Sequence, residues 1–588
     1  MIPTYLVALL SLVNITTAAT AASRTAYVSI TGSKTGTNTQ TKARPFRRNI
    51  LDLQQDAPSW ALYIQCLTTM QNVDENDPLS WFQIAGIHGR PYSTWNNVGP
   101  TQNPFYGGYC THSSVLFTTW HRPYLALFEQ VLAQCAQNVA KQYTGSNAAT
   151  YQAAADKLRM PYWDWASDPK MPDSVSLAST QINTPNGLTT VRNPLFSYRF
   201  KRYPLNTSPF PPTSLSVFPQ TVRSPITNTF DAVSDVGGIN ELLVSGGLMQ
   251  RTYDTLTKGQ GSYNGFSDGT TQGPSIENVH NNIHGYLGGN NGHMSFLDYS
   301  AFDPIFWLHH TNVDRLFAMW QAINPTSQMT PALEPGTYSL PRNNLDTLQT
   351  PLYPFTSTIA GQLYTSASAL MTAKFNYAYP EIEDWNQSVD QLKTNVTAQI
   401  NRLYDPNGIW QNTRPLRAAK RTALKAGAVT RAWSVAVKVA KFDLDGEMFR
   451  IRLFLGDIPA ESKAWGLCKT LFGTMTIMPE PFDGPKPFPN TTVHDEWSLT
   501  NSIIAAGIDH TKTEDVVEYL KKNLDWRVQK RDNSIGDLKA LETLQVSVFD
   551  QTFELPSEVT DLPKYGQEHN YHVEVTKDKP CGRTNSDA

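Results

Sequence analysis

The chain has 588 residues, with 48 Lys and Arg against 51 Asp and Glu, a formal net charge of −3, and 11% aromatic residues. That length exceeds one ordinary domain and predicts two. The balanced charge gives no support for a nucleic-acid binder, which carries a basic excess. No run of about twenty apolar residues follows the N-terminus, so no membrane-spanning helix is expected.

In chain order, the first element is a short apolar core from Tyr5 to Val13. Small residues follow, and Ala19-Thr20-Ala21 fits a small-x-small cleavage pattern. A signal peptide over residues 1–21 and a secreted chain are expected. Sequons headed by Asn206, Asn386, Asn395 and Asn490 fit that route. Five cysteines are too few for a disulfide scaffold, but Cys66 and Cys135 can pair if the chain is secreted.

Residues 22–385 read as helices separated by long loops. "SWFQIAGIHG" (80–89), "PYLALFEQVLAQCAQNVAKQY" (123–143), "SIENVHNNIHGYL" (275–287) and "DPIFWLHHTNVDRLFAMWQAI" (303–323) carry apolar residues at helical spacing. Asp303-Pro304 reads as a helix start, an N-cap acid before proline at the first helical position. Residues 170–240 read mostly as loop, and 386–428 as a linker containing the basic stretch "RPLRAAKRTALKAG" (414–427). From 429 to 588 the texture changes. "WSVAVKVAKFDL", "MFRIRLFLGD", "LQVSVFDQTFEL" and "HVEV" alternate apolar with polar, the pattern of half-buried strands. The expected fold is a mainly α catalytic core, a helical bundle with long loops, joined to a β-rich C-terminal domain.

Eight of the twelve histidines fall between residues 88 and 310. His280 and His284 lie four apart and project from one helix face. His121 opens "WHRPYLALFEQ", His112 precedes it by nine residues, and His88 ends its helix. With one of the adjacent pair His309 and His310, the region offers two sets of three imidazoles. A zincin would need glutamate after the first histidine of the pair, where this chain has Asn281, and structural zinc would need cysteine clusters. All-imidazole sets without a carboxylate suit copper or zinc, and two such sets point to two copper ions held close together.

These residues resemble the fungal tyrosinases, a family of type-3 dicopper polyphenol oxidases. The likeness rests on "TTWHRPYLALFEQ", "IENVHNNIHGYLGG", "FDPIFWLHHTNVDRL", "PYWDW" (161–165) and "YAY" (377–379), in the family's order. It implies one copper on His88, His112 and His121 and a second on His280, His284 and His310, leaving His309 a supporting role. It also implies a thioether between Cys110 and His112, and a proton-accepting water held by Glu277 and Asn281. Leu297 or Phe296 would gate the substrate. Phe302, Phe306, Trp307 and Leu308 would keep the centre dry. The C-terminal domain would shield the site until a protease cuts, with Lys420-Arg421 a candidate processing point and Phe454 a candidate plug.

The implied activity is ortho-hydroxylation of monophenols and oxidation of o-diphenols to o-quinones with O2, in pigment or phenolic secondary metabolism. Partners are then O2, small phenols and an activating protease; a homo-oligomer is compatible with the sequence. The rivals are a catechol or o-aminophenol oxidase without monophenol activity, and a haemocyanin-like O2 carrier.

Overall fold

The computed structural model describes residues 26–102, 108–259, 261–405, 427–481 and 490–584. The expected signal peptide and Lys420-Arg421 lie outside the described residues.

Three early helices frame one side of the catalytic region. Helix α1 (Ala57–Asn72) starts where the Asp56 carboxylate accepts from Ser59 N, with proline in the first turn. Helix α2 (Trp81–His88) is capped by Ser80. Helix α3 (Phe117–Ala140) runs straight through Pro123. The sequence pattern places the start of this helix at Pro123, because proline favours the first turn. The chain instead starts it at Phe117, and residues 117–129 are all buried, so packing outweighs the lost N–H. Cys66 on α1 and Cys135 on α3 form a disulfide.

Four further helices complete the core: α4 (Leu248–Lys258), α5 (Ile276–Gly288), α6 (Pro304–Ile323) and α7 (Val389–Tyr404). Helix α6 begins as its sequence indicates, with Asp303 accepting from Ile305 N. All its residues but Gln321 are buried, so it is the central rod of the bundle. Helix α7 falls within the stretch expected to be linker. Ser388 and Gln391 close a capping box at its start, and it packs on α6 and α4. The loop-rich stretch from 170 to 240 contains an antiparallel hairpin, β1 (Ser179–Thr184) and β2 (Gly187–Arg192).

The C-terminal region is a sandwich of two antiparallel sheets. One sheet orders β6 (Thr492–Ser498), β3 (Val429–Ala440) and β8 (Gln545–Glu554), with Lys564–Tyr565 on the edge. The other orders Ile535–Gly536, β7 (Leu524–Lys530), β4 (Phe449–Leu455) and β5 (Leu471–Ile477). Trp433, Val435 and Val437 meet Ile451, Leu453 and Trp526 in the shared core. The "HVEV" stretch is not a strand: only Asn570–Tyr571 pairs with β8 before a short helix, Val573–Thr576, begins.

Strand β4 departs from the half-buried expectation. Phe449, Ile451 and Leu453 fill the sandwich core, yet Arg450 and Arg452 on its other face are also buried. The sandwich lies on the helical core, and Arg450 Nη2 donates to the Gly285 carbonyl near the end of α5 at 3.1 Å. The polar face meets protein, not water.

Candidate metal centre

Helix α2 ends at His88, α3 carries His121 in its second turn, and the loop before α3 supplies His112. Ligand atoms of His88, Cys110, His112 and His121 lie within 4.8 Å of one another, as do those of His280, His284, His309 and His310. The two groups abut: the His121 and His310 rings stack with centroids 4.5 Å apart, and those of His112 and His280 lie 6.0 Å apart. All are buried.

Hydrogen bonds orient the rings. The Nδ1 atoms of His88, His121 and His284 donate to the carbonyls of Leu297, Phe117 and Met294 at 3.0, 2.7 and 2.8 Å. His280 Nδ1 donates to Asn281 Oδ1 at 3.0 Å. Each bond commits the ring proton to Nδ1 and leaves Nε2 as a lone pair. His280 Nε2 and His284 Nε2 therefore face His310 Nε2 at 3.2 and 3.4 Å, and one proton on His310 cannot serve both. His88 Nε2 is buried with no hydrogen-bond partner. Burial pushes the pKa of His121 and His284 down to about 4 and those of His88, His112, His280 and His310 well below the usual value. Neutral imidazoles with convergent lone pairs are what a pair of copper ions requires.

A buried acid one turn beyond α6's histidine pair ties the helix to its neighbours. Asp314 accepts from Arg122 Nε at 2.7 Å, Arg47 Nη1 at 3.2 Å, and the phenols of Tyr377 and Tyr379 at 2.6 Å. This buried knot ties the rotation of α6 to α3 and to the "YAY" motif. His309 stacks on His280 at 5.0 Å, and neither of its nitrogens has a hydrogen-bond partner. Phe306 stacks on His310 at 4.0 Å and meets His88 edge-on at 5.0 Å, closing the floor between the sets.

Two family models match the chain: the common central domain of tyrosinase over residues 78–323 and the tyrosinase C-terminal domain over 432–548. A tyrosinase of Neurospora crassa is 31% identical over 92% of this chain and 96% of its own length. The chain belongs to the tyrosinase family. Polyphenol oxidase 2 of Agaricus bisporus is 33% identical over 87% of this chain and 93% of its own. A mushroom tyrosinase crystallised in latent and active forms superposes with a TM-score of 0.80 at 27% identity, covering 93% and 99% of the two chains. Pro-tyrosinase of Aspergillus oryzae has the same fold, with a TM-score of 0.70 at 22% identity over 93% and 97%. Tyrosinases are type-3 dicopper oxidoreductases, and this chain carries both their central and their C-terminal domain. Among the described residues no helix is long and apolar enough to cross a membrane.

Around the tyrosinase centre the other expected residues sort themselves. Cys110 Sγ lies 3.7 Å from His112 Nε2 and 3.3 Å from His121 Nε2. Glu277 is buried; its Oε1 accepts from Ser113 N at 2.7 Å, and its Oε2 has no hydrogen-bond partner. Burial pushes its carboxyl up to about 8, against the nearby Lys441, which pulls it down. Leu297 packs with Met448 and Met478 of the sandwich, whereas Phe296 lies under the Arg531 guanidinium at 4.0 Å. His293, five residues after α5, is fully buried, and its Nδ1 accepts from Val222 N at 3.1 Å.

Phe454, the candidate plug, is buried on β4. It lies two pleats along β4 from Arg450 and meets Trp465 edge-on at 6.1 Å. The sandwich brings Lys441, Met478 and Glu480 to the site. Lys441 Nζ donates to Ser113 Oγ at 2.9 Å and pairs with Glu480 Oε1 at 2.5 Å; that oxygen lies 4.0 Å from His112 Nδ1. Nothing in the alternation of β4 could have revealed this, because the insert comes from the ends of other strands.

Proposed function

We propose that the chain hydroxylates monophenols ortho to the hydroxyl and oxidises the resulting diphenols to o-quinones, with Glu277 as the proton acceptor. The observation that carries this is the unpartnered Glu277 Oε2 beside the convergent imidazoles. A phenol with an ordinary pKa near 10 must lose its proton to react at neutral pH. A carboxylate lifted toward neutrality by burial is matched to that task. Glu277, Asn281 and Ser113 border a residual cavity of about 10 Å3, room for one water, through which the proton would pass.

His88, His112 and His121 would hold one copper and His280, His284 and His310 the other. Bound there, the pair supplies the activation of O2 that the reaction needs. Cys110 would be joined to His112 through a thioether, fixing the ring of the histidine of the first set that sits on a loop; its signature is a peptide lighter by two hydrogens. Leu297, whose carbonyl orients His88, would rest against the incoming ring.

Latency arises from the same cavity, which is too small for a phenol. Proteolysis between about 385 and 425 would release the sandwich, with Lys420-Arg421 the candidate cut. Exposed sequons at Asn206, Asn386, Asn395 and Asn490 and the Cys66–Cys135 disulfide support passage through a secretory route. Oxygen uptake by the copper-loaded chain, measured with tyrosine and with catechol before and after limited proteolysis, tests the reading. Uptake with catechol alone would remove Glu277 from its assigned role; uptake with neither would favour an O2 carrier.

A further inference from the structure

His88 ends α2 and His121 lies within α3, so helical hydrogen bonds brace both backbones. His112 has no such ladder: residues 109–116, which carry it and Cys110, form neither helix nor strand. A second loop, 334–338, grips this segment on both sides of the pair. Tyr338 N donates to the Gly108 carbonyl at 2.8 Å, two residues before Cys110. Ser114 Oγ, two residues after His112, donates to Glu334 Oε2 at 2.7 Å. The same hydroxyl accepts from Leu116 N at 3.2 Å, at the threshold of α3. Glu334 Oε1 accepts from Gly336 N at 3.2 Å, so the carboxyl is itself held. Glu334, Ser114 and Asp346 are all buried. Burial and the neighbouring Asp346 carboxyl keep Glu334 well above the usual carboxylate range and favour its neutral form.

We propose, on the reading of His112 as a copper ligand, that Glu334 is a positioning residue for the metal centre. Through Ser114 it fixes the reach of His112 toward its metal and of the Cys110 sulfur toward the His112 ring. Groups that orient a metal ligand from behind are worth about 10–100-fold in metal affinity, and a ligand on a loop depends on them most. Ser113 N, bound to Glu277 Oε1, anchors the same loop from the α5 side. Losing Glu334 leaves that anchor and the Gly108–Tyr338 bond in place, so the loop loosens next to His112 while the helices stay put.

The test compares Glu334→Ala, Glu334→Gln and Ser114→Ala with wild type as full chains. Copper titrated against a competing chelator should show one of the two ions bound about 10–100-fold more weakly in Glu334→Ala, with the other unchanged. After copper loading, the peptide with Cys110 and His112 should mostly keep the two hydrogens that thioether formation removes. Glu334→Gln keeps an oxygen for the Ser114 hydroxyl and should restore both readouts. Ser114→Ala should repeat the Glu334→Ala defect, and it decides the matter should Glu334→Ala fail to fold. Equal weakening of both ions would reveal a merely structural role and overturn the proposal. So would unchanged copper binding, or a Glu334→Gln chain as defective as Glu334→Ala. A wild type that binds no copper would strike the metal reading instead. Hydrogen exchange over 109–116 in the metal-free chains, expected to quicken severalfold in Glu334→Ala alone of the two Glu334 variants, would then still decide whether Glu334 holds the loop.

Discussion

The backbone N–H of Ser113 donates to Oε1 of Glu277 at 2.7 Å, joining the loop that carries His112 to the helix that carries His280 and His284. Ser113 adopts a left-handed φ of 51° to do so, a conformation uncommon for a residue with a Cβ. The strained turn aims one N–H at one carboxylate oxygen and leaves the other oxygen free. Glu277→Gln keeps the acceptor for Ser113 and removes the base. Monophenol turnover should fall by about 100-fold or more while diphenol oxidation changes little. Matching losses with tyrosine and catechol would mean that Glu277 only braces the loop.

His309 and His310 should separate in metal content. His310→Ala should lose one of the two copper ions, because His310 Nε2 meets both His280 and His284. His309→Phe keeps the stacking on His280 and should keep both ions. Elemental analysis of the two purified variants decides, and equal copper in both would reassign the ligand.

Asp268 should impose a pH-dependent cost on the latent fold. Burial pushes its carboxyl up to about 6, with hydrogen bonds from Thr270 and the nearby Lys441 pulling it back. Between about pH 4 and 6 the native state therefore keeps a proton that the unfolded chain has released. Relative stability from this group is full below about pH 4 and is lost as pH rises through 6. Asp268→Asn abolishes the titration, so its melting temperature should gain on wild type between about pH 4 and 7, by up to ~3 kcal/mol of stability. A difference from wild type that does not vary with pH would show that Asp268 does not titrate in that window.

Local periodicity reveals part of this site and tertiary packing hides the rest. His280 and His284 declare themselves by spacing, and Asp303-Pro304 announces α6. His88, His112 and His121 are linked by no local pattern; only their convergence across two helices and a loop makes them a set. Spacing does not choose between His309 and His310, and both offer a nitrogen within 4.8 Å of those of His280 and His284. The true start of α3 is masked because Pro123 signals a first turn that packing overrides. Helix α7 passes for linker because polar residues and sequons cover its outer face. Arg450 and Arg452 suggest solvent on one side of β4, since no pattern within a strand says that a second domain covers it.

Removing Arg251 should loosen latency. Its guanidinium, on α4, pairs with Asp495 of the sandwich at 2.6 Å and lies 3.8 Å over the Trp497 ring. Arg251→Ala would leave Asp495 buried and uncompensated, a cost of ~3–5 kcal/mol at the junction. Uncut Arg251→Ala chain should then take up oxygen with catechol faster than uncut wild type, with the cut forms equal. Unchanged latency would show that other contacts hold the domains together.

Arg450 and Arg452 bear on the fate of the sandwich after activation. Arg450 meets the end of α5, Arg452 is held within the sandwich by Gln529 and Thr474, and Met448 and Met478 meet Leu297 across the junction. Once detached, that face would expose the thioethers of Met448 and Met478, while Arg450 would exchange the Gly285 and Gly289 carbonyls for water and Arg452 would keep Gln529 and Thr474. The liberated fragment would carry an apolar thioether patch that invites contact with other chains and weakens its return to the enzyme. Switching on would then be a ratchet, with no return to the dormant state short of making a new chain.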